Sequence, residues 1–146
     1  MQTTIDTTQL VEAIGDGLVV ADASGKIIMW NPACERIFGF TEADAVGQSL
    51  DIIVPQRQQQ RHWDGYAKTM ATGQTRYGND VLRVPALHKD GRNLSIAFTV
   101  ALLPAPDGKV GAIVAVVRDE SARFAEDRAL RKKLMELESK VATIGN

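Results

Sequence analysis

The stretch that decides the fold spans residues 17–33 and reads Gly17-Leu18-Val19-Val20-Ala21-Asp22-Ala23-Ser24-Gly25-Lys26-Ile27-Ile28-Met29-Trp30-Asn31-Pro32-Ala33. Two apolar runs flank a turn that ends in Gly25, where glycine is free to take a positive φ. Asn31 before Pro32 is typical of a helix start, because the asparagine side chain caps the first turn and proline is tolerated within it. The stretch therefore predicts a β-hairpin that runs directly into a helix.

Helical patterns lie on both sides of this stretch. Apolar residues at helical spacing predict a short amphipathic helix over residues 8–14, which we expect to cover part of a sheet. Thr41 begins a sequence that resembles a capping box and predicts a one-turn helix before Gly47. A longer helix is predicted over residues 56–71, with a C-terminal cap at Gly73.

Three strands are predicted over residues 80–87, 93–103 and 110–118, since turn residues separate them into a β-meander. The second strand alternates cleanly, and its bulky residues share one face: Leu94, Ile96, Phe98, Val100 and Leu102. We expect this face to form the core. The opposite face is small and uncharged, so the N-terminal helix or a partner subunit is expected to cover the outer surface of the sheet.

The last part of the chain is a charged helix, predicted over residues 123–141. Its apolar residues recur at alternating spacings of four and three, the pattern of a coiled-coil seam: Leu130, Leu134, Leu137, Val141 and Ile144. Because about two heptads are too few to be stable alone, we expect the helix to pack on a second chain or, alternatively, to fold back on its own domain. The residues expected at a dimer interface are Leu10, Ile14, Leu130, Leu134, Leu137 and Val141.

The composition excludes several functional classes. The chain has 146 residues with 17 Lys and Arg against 18 Asp and Glu, for a net charge of -1. No basic excess points to nucleic acid or to an anionic membrane surface, and no apolar run approaches the ~20 residues of a membrane span. We therefore expect a cytoplasmic protein of one domain plus an appendage. Cys34 is the single cysteine, which excludes an internal disulfide and a cysteine-based metal site.

These parts occur in an order that resembles a PAS domain, the small sensor module of signalling proteins. The resemblance covers residues 10–123 and rests on the opening hairpin and on later motifs: Asn31-Pro32-Ala33, Phe38-Gly39-Phe40, Gly47, Lys89-Asp90-Gly91 and Val117-Arg118-Asp119-Glu120-Ser121-Ala122-Arg123. It implies an α+β fold, a five-stranded antiparallel sheet with short helices on one face that enclose a pocket. Residues 1–15 would then be an N-terminal cap helix, 16–120 the PAS domain and 121–146 a C-terminal signalling helix.

The family leaves the ligand open, because PAS modules bind haem, flavins, small metabolites or nothing detectable. The blue-light subgroup carries a reactive cysteine shortly after the position that matches Gly47. Here the segment reads Gly47-Gln48-Ser49-Leu50-Asp51. A flavin-cysteinyl photosensor is therefore not expected.

One segment is similar to the haem-bearing helix of rhizobial oxygen-sensor kinases: Arg61-His62-Trp63-Asp64-Gly65-Tyr66 followed by Ala71-Thr72-Gly73. The similarity implies His62 as the ligand of the haem iron, a role that a neutral imidazole suits. It further implies Lys68 and Arg76 at the haem propionates and Phe98 and Val100 on the apolar distal wall. The full set of expected cofactor residues is His62, Tyr66, Lys68, Arg76, Arg83, Phe98 and Val100.

Alternative roles stay open for two of these residues. Leu82 stands where that family has its distal arginine, so Arg83 reaches the pocket only if the strand contains a bulge. Otherwise Arg83 is expected to form a salt bridge at the sheet edge. For His62 the alternative is a structural or surface role without haem. His88, in a hairpin turn, is expected to be solvated.

Two functional classes follow from these observations. The first is a sensory module in which a pocket ligand, haem in the sharpest version, shifts the arrangement of the terminal helix and so signals to a downstream protein or domain. The second is a ligand-free homodimer or protein-interaction scaffold. An enzyme is not expected, because the sequence offers no phosphate-binding loop, nucleophile elbow, metal-binding histidine pair or paired carboxylates.

Overall fold

The computed structural model describes residues 3–75 and 77–144. Five strands form one sheet: β1 Gly17–Asp22, β2 Ile27–Trp30, β3 Leu82–Leu87, β4 Asn93–Pro104 and β5 Val110–Asp119. Their order across the sheet is β2-β1-β5-β4-β3, and every neighbouring pair is antiparallel. The predicted five-stranded antiparallel sheet is confirmed.

The helices of the described residues are α1 Thr7–Ala13, α2 Pro32–Phe38, α3 Glu42–Ala45, a 3₁₀ turn Leu50–Ile53, α4 Gln56–Thr72 and α5 Ser121–Ile144. Every predicted helix is present with small differences at its ends, whereas the 3₁₀ turn was not predicted. Gly73 ends α4 with a φ of 69°, and its amide donates to the Thr69 carbonyl at 2.8 Å, as expected of a glycine cap. None of the described helices has both the length and the apolar character that crossing a bilayer requires.

Asn31 joins the opening hairpin to the helices on either side of it. Its side-chain oxygen caps α2 by accepting from the Cys34 amide at 3.2 Å and also accepts from the Leu18 amide at 2.9 Å. Its side-chain nitrogen donates to the carbonyls of Val11 and Asp16 at 3.1 and 3.0 Å. The side chain is buried, so its hydrogen-bonding groups are satisfied entirely by the protein.

The inner face of the sheet carries the core. Phe98 is paired with Val117 on β5 and with Leu82 on β3, and such cross-strand partners share a face. Helices α2 and α3 and the 3₁₀ turn close over this face, and the largest fully buried side chains are Trp30, Phe38, Ile27 and Cys34. The prediction that the bulky face of β4 forms the core is confirmed.

The outer face of the sheet is apolar and partly open. Met29 on β2 is 42 % exposed and Leu103 on β4 is 45 % exposed. Helix α1 packs against α2, and its Leu10 is itself 48 % exposed. The predicted cover by the N-terminal helix is therefore not in place over Met29 and Leu103.

Helix α5 leaves the sheet directly after β5. Ser95 on β4 anchors its start, because the Ser95 amide donates to Ser121 Oγ at 3.1 Å and the Ser95 carbonyl accepts from the Glu120 amide at 2.8 Å. Beyond this point residues 122–144 are exposed. The alternative in which the helix folds back on its own domain is therefore wrong for this structure.

Candidate functional site

Two polar side chains on α4 present unpartnered atoms inside the protein. Gln58 and His62 lie four residues apart and hence one above the other on a helix face. Gln58 Oε1 and His62 Nδ1 are both buried, and neither has a hydrogen-bond partner among the described residues. Since a buried polar atom without a partner costs ~1–3 kcal/mol, this pair marks a position where a ligand could complete the structure.

The surroundings of His62 keep its imidazole neutral. Burial lowers the pKa of His62, and the nearby Asp51 carboxylate opposes this effect without cancelling it. The Trp63 ring lies edge-on to the imidazole at a centroid distance of 4.6 Å, and the Tyr66 ring lies at 5.8 Å. A neutral imidazole can accept a proton or coordinate a metal ion, so His62 has the protonation state that a ligand role requires.

Trp63 and Tyr66 attach α4 to the rest of the domain through hydrogen bonds. Trp63 Nε1 donates to Asp51 Oδ1 on the 3₁₀ turn at 2.7 Å, and its ring lies directly over Gly25 in the β1–β2 turn. The Tyr66 hydroxyl donates to the Asp22 carbonyl at the end of β1. Burial raises the pKa of Tyr66 to about 12, so the hydroxyl stays protonated and able to donate. These contacts hold the helix that carries His62.

The sheet offers an apolar wall opposite the helices. Phe98 and Val100 lie on the inner face, paired with Val117 and Ala115 of β5, and both are half-buried. Phe98 packs against the core, while the Val100 amide donates to the Tyr77 carbonyl at 2.8 Å. The two residues expected on the distal wall therefore share the face that the helices cover.

Of the basic residues expected near a haem, the structure describes Arg83 and Lys68. Arg83 pairs in register with Ala97, and β3 has no bulge against β4, so Arg83 faces away from Phe98. Its Nε lies 3.7 Å from Glu120 Oε2, which is the salt bridge that the sequence left open as the alternative. Lys68 is exposed on α4. Arg76 lies outside the described residues.

Comparison of the sequence with known protein families identifies the family of this chain. A family model described as the PAS fold matches residues 11–124, most of the chain. The chain belongs to the PAS family. The strand order and the helices packed on the inner face agree with this assignment.

Relatives of this PAS chain include sensor proteins. It is 33 % identical over 118 residues to an uncharacterised protein of Azorhizobium caulinodans. It is 26 % identical over 136 residues to the sensor protein FixL of Bradyrhizobium diazoefficiens, and 24 % identical over 119 residues to the oxygen sensor protein DosP of Escherichia coli. These matches cover 80 %, 92 % and 82 % of this chain but 16 %, 26 % and 15 % of the relatives. The chain thus spans about a quarter or less of each relative.

Solved PAS structures resemble the fold. The PAS domain of a Colwellia psychrerythraea protein superposes with a TM-score of 0.69 at 20 % identity, covering 80 % of this chain and 95 % of that one. The PAS domain of the Cronobacter turicensis quorum-sensing receptor RpfR, solved in complex with C12:0, superposes with a TM-score of 0.57 at 14 % identity, covering 75 % and 97 %. At these identities the likeness establishes the fold alone.

A cleft of the PAS domain lies at the far end of α4, away from Gln58 and His62. This cleft of about 510 Å³ separates the helix end from the β4–β5 hairpin. Its lining is formed by residues that include Met70, Gly73, Leu102, Leu103 and Val110. The sequence did not reveal this cleft, because it depends on the distance between two elements far apart in the chain.

Other residues of the PAS domain also differ from their sequence-based roles. His88 is not solvated: its side chain is 15 % exposed and lies against Gly39. Gln58 was missed, although its position one turn before His62 would have placed the two on one face. In the described residues no group of three His, Cys, Asp or Glu side chains could hold a bare metal ion.

Proposed function

We propose that this chain is a PAS sensory module that binds a small ligand between α4 and the inner face of the sheet, and passes the signal into α5. The observation that carries the proposal is the pair of buried, unpartnered atoms on α4, Gln58 Oε1 and His62 Nδ1. Native proteins leave few buried polar atoms unpaired, so each such atom calls for a partner such as a water, an ion or a ligand. The half-buried apolar wall of Phe98 and Val100 supports the same location.

In its most specific form, which we call the haem version, the proposal is that the ligand is haem and that His62 is its axial ligand. A neutral, half-buried imidazole fits this role, and the apolar wall at Phe98 and Val100 fits a porphyrin face. Lys68 would form the ion pair with the haem propionates. Arg83 would not, because it faces the other side of the sheet and is paired with Glu120. A haem iron supplies reversible binding of a diatomic gas or a change of redox state. The sensor relatives FixL and DosP support testing this version first.

The test of the haem version is the ultraviolet-visible spectrum of the purified chain before and after addition of haem. We expect a Soret band that is lost or strongly shifted in His62→Ala. His88→Ala is the matched control, since it removes the other histidine of the chain. A featureless spectrum after haem addition, or equal spectra for the two variants, contradicts the haem version.

The broader version is an apolar metabolite bound at the same location, between α4 and the inner face of the sheet. The C12:0 ligand of the RpfR PAS domain supplies the probe. We expect C12:0 to raise the midpoint of thermal unfolding, because a ligand that binds only the folded state stabilises it by mass action. Phe98→Asp should remove the shift, while Thr99→Asp, on the opposite face of β4, should retain it. If C12:0 does not raise the midpoint of thermal unfolding and added haem gives no Soret band, the ligand proposal is contradicted for both probes.

A second candidate function is a homodimeric scaffold. It is favoured by the exposed seam of α5, where Leu130, Leu134 and Leu137 are 65 %, 56 % and 50 % exposed. Exposed leucines at coiled-coil spacing are costly unless another chain covers them. The double variant Leu130→Glu/Leu134→Glu should be monomeric by light scattering. Met135→Glu, equally exposed but off the seam, should stay dimeric. An unchanged dimer mass in the double variant contradicts a role for α5.

Further parts of the proposal concern the protein in its cell. We place the module in the cytoplasm, without nucleic acid or membrane as a partner, and assign its output to a downstream signalling protein or domain. We assign no catalytic activity to the PAS domain itself. The relatives, of which this chain spans 15–26 %, support an output located elsewhere in a larger receptor.

A further inference from the structure

The two ring nitrogens of His62 lie in different surroundings. Nδ1 is buried and has no partner among the described residues. Nε2 is not one of the buried, unpartnered atoms, and no hydrogen bond reaches it within the described part of the chain, so it is open to solvent. A ligand therefore meets the imidazole at Nε2, and Nδ1 faces the protein.

Gln58 offers an acceptor one helical turn from this buried nitrogen. Helical side chains lean toward the N-terminus, so the imidazole of His62 leans toward the turn of α4 that carries Gln58. A glutamine can span four residues with a hydrogen bond, as Gln60 does on the same helix, where its Nε2 donates to Asp64 Oδ1 at 3.0 Å. Gln58 Oε1 and His62 Nδ1 are the two buried side-chain atoms that lack a partner among the described residues.

The position of the ring proton explains why these two atoms are unpaired. An amide oxygen only accepts, whereas an imidazole nitrogen donates when it carries the ring proton and accepts when it does not. With the proton on the solvent-exposed Nε2, His62 Nδ1 and Gln58 Oε1 are both acceptors and cannot bond. With the proton on Nδ1, the same two atoms are a donor and an acceptor.

We propose that Gln58 is the positioning residue of His62: when a ligand takes the lone pair of Nε2, the ring proton resides on Nδ1 and is donated to Gln58 Oε1. The inference rests on the haem version of the proposed function and adds the residue that orients the axial ligand. Nε2 gives its proton to solvent and Nδ1 takes one from it, so no net proton is taken up or released. The new bond fixes the orientation of the imidazole and raises its basicity as a ligand.

The first test uses the haem-free chain and separates this role from a structural one. Gln58→Leu removes the acceptor, and Gln60→Leu makes the same change on the exposed side of the helix. Gln58→Leu should leave the urea midpoint of unfolding unchanged or raise it, because apolar atoms replace a buried, unpaired oxygen. A residue that only supports the fold would instead lower the midpoint, and that result would overturn the inference.

The second test locates the ring proton in the haem-free chain. Long-range proton–nitrogen NMR correlations of the imidazole show which nitrogen carries the proton, and the signals of His62 are those lost in His62→Ala. We expect the proton on Nε2 of His62 in the unaltered chain, since Nδ1 and Gln58 Oε1 are unpaired there. A proton on Nδ1 in the absence of a ligand would contradict the proposed change of tautomer.

The third test is a haem titration followed at the Soret band. Gln58→Leu should bind haem roughly tenfold more weakly than the unaltered chain, the usual cost of losing the residue that orients a ligating histidine. Gln60→Leu should bind haem as the unaltered chain does, and Gln58→Glu, which keeps an acceptor oxygen, should restore binding. Resonance Raman spectra of the reduced, haem-loaded chains should show a lower iron–histidine stretching frequency in Gln58→Leu than in Gln60→Leu, because Nδ1 has lost its acceptor.

The outcomes separate this inference from the proposal beneath it. If the Soret band depends on His62, but Gln58→Leu and Gln60→Leu bind haem equally and share one stretching frequency, the positioning role of Gln58 is wrong and the haem version stands. An unaltered chain that takes up no haem overturns both. Tenfold weaker binding confined to Gln58→Leu, with its haem-free stability intact, supports the positioning role.

Discussion

Trp63 donates its indole hydrogen to Asp51 at 2.7 Å, and this bond ties α4 to the 3₁₀ turn that precedes it. The same carboxylate is the charged group that partly offsets the effect of burial on the pKa of His62. The position of His62 and its protonation state are thus both linked to one aspartate. The hydrogen bonds of Trp63 and Tyr66 therefore belong to the candidate site, because they hold the helix that carries His62.

The first prediction concerns the indole bond. Trp63→Phe keeps an aromatic ring over Gly25 but removes the donor, and we expect a loss of about 1 kcal/mol in the free energy of unfolding. Urea denaturation measures this value. Asp51→Asn should cost a similar amount, and the double variant should cost little more than either single one, because both changes remove one shared bond. Fully additive losses would contradict the shared contact.

The second prediction concerns Tyr66 at high pH. Its pKa is raised to about 12 in the folded protein from 10.0. The unfolded chain therefore releases this proton first, so the stability that Tyr66 contributes is complete below pH 10 and falls as the pH rises toward 12. Tyr66→Phe should be less stable at neutral pH by about 1 kcal/mol and should show a shallower alkaline decline. An identical alkaline slope in both proteins would contradict the assignment.

Because the buried Cys34 thiol also has its pKa raised to about 12, it contributes a decline of its own. Both proteins should therefore also carry Cys34→Ala. The difference in alkaline slope between Cys34→Ala and Cys34→Ala/Tyr66→Phe then reports on the Tyr66 hydroxyl alone. The midpoint of urea unfolding at several pH values between ~8 and ~12 provides the slope.

The third prediction concerns His62 at low pH. Burial lowers its pKa below the ordinary value of 6.5, so the unfolded chain binds this proton more readily than the folded protein. The corresponding stability is present above pH 6.5 and is lost as the pH falls through the folded value. His62→Phe should flatten this acid decline in the ligand-free chain. His88→Phe serves as the matched control, and a slope that only the control removes would refute the prediction.

The fourth prediction concerns Asn31. Asn31→Ala removes the buried side-chain partner of the Leu18 amide and of the Val11 and Asp16 carbonyls. The Cys34 amide loses the capping side chain but keeps its bond to the backbone carbonyl of residue 31 at 3.0 Å. We expect a loss of about 3 kcal/mol in the free energy of unfolding, measured by urea denaturation. Asp6→Ala removes the exposed cap of α1 and should cost less than about 1 kcal/mol. Equal costs for the two caps would show that burial adds nothing to the role of Asn31.

Local patterns were sufficient for most of the fold. The alternation of β4, the glycine cap at Gly73 and the Asn31-Pro32 helix start each depend on neighbours within a few residues, and the structure contains all three. Two local features were not predicted: the N-terminal cap of α1, which is Asp6, and the 3₁₀ turn Leu50–Ile53. A turn of four residues has too little periodicity to be distinguished from a loop in the sequence.

The amino-acid sequence by itself predicted the order of the strands and of the α-helices, because periodicity and turn chemistry are local properties of the chain. The resemblance to the PAS family rested on motifs found in that order, and the coiled-coil seam of α5 stays a prediction. Only the tertiary structure decided that Arg83 turns to Glu120, that His88 packs on Gly39, and that Gln58 and His62 present unpartnered atoms to the interior. These facts depend on strand register and on contacts between residues distant in the chain. A register shift of one residue moves a side chain to the other face of a sheet, and no local pattern specifies which face an isolated charge will take.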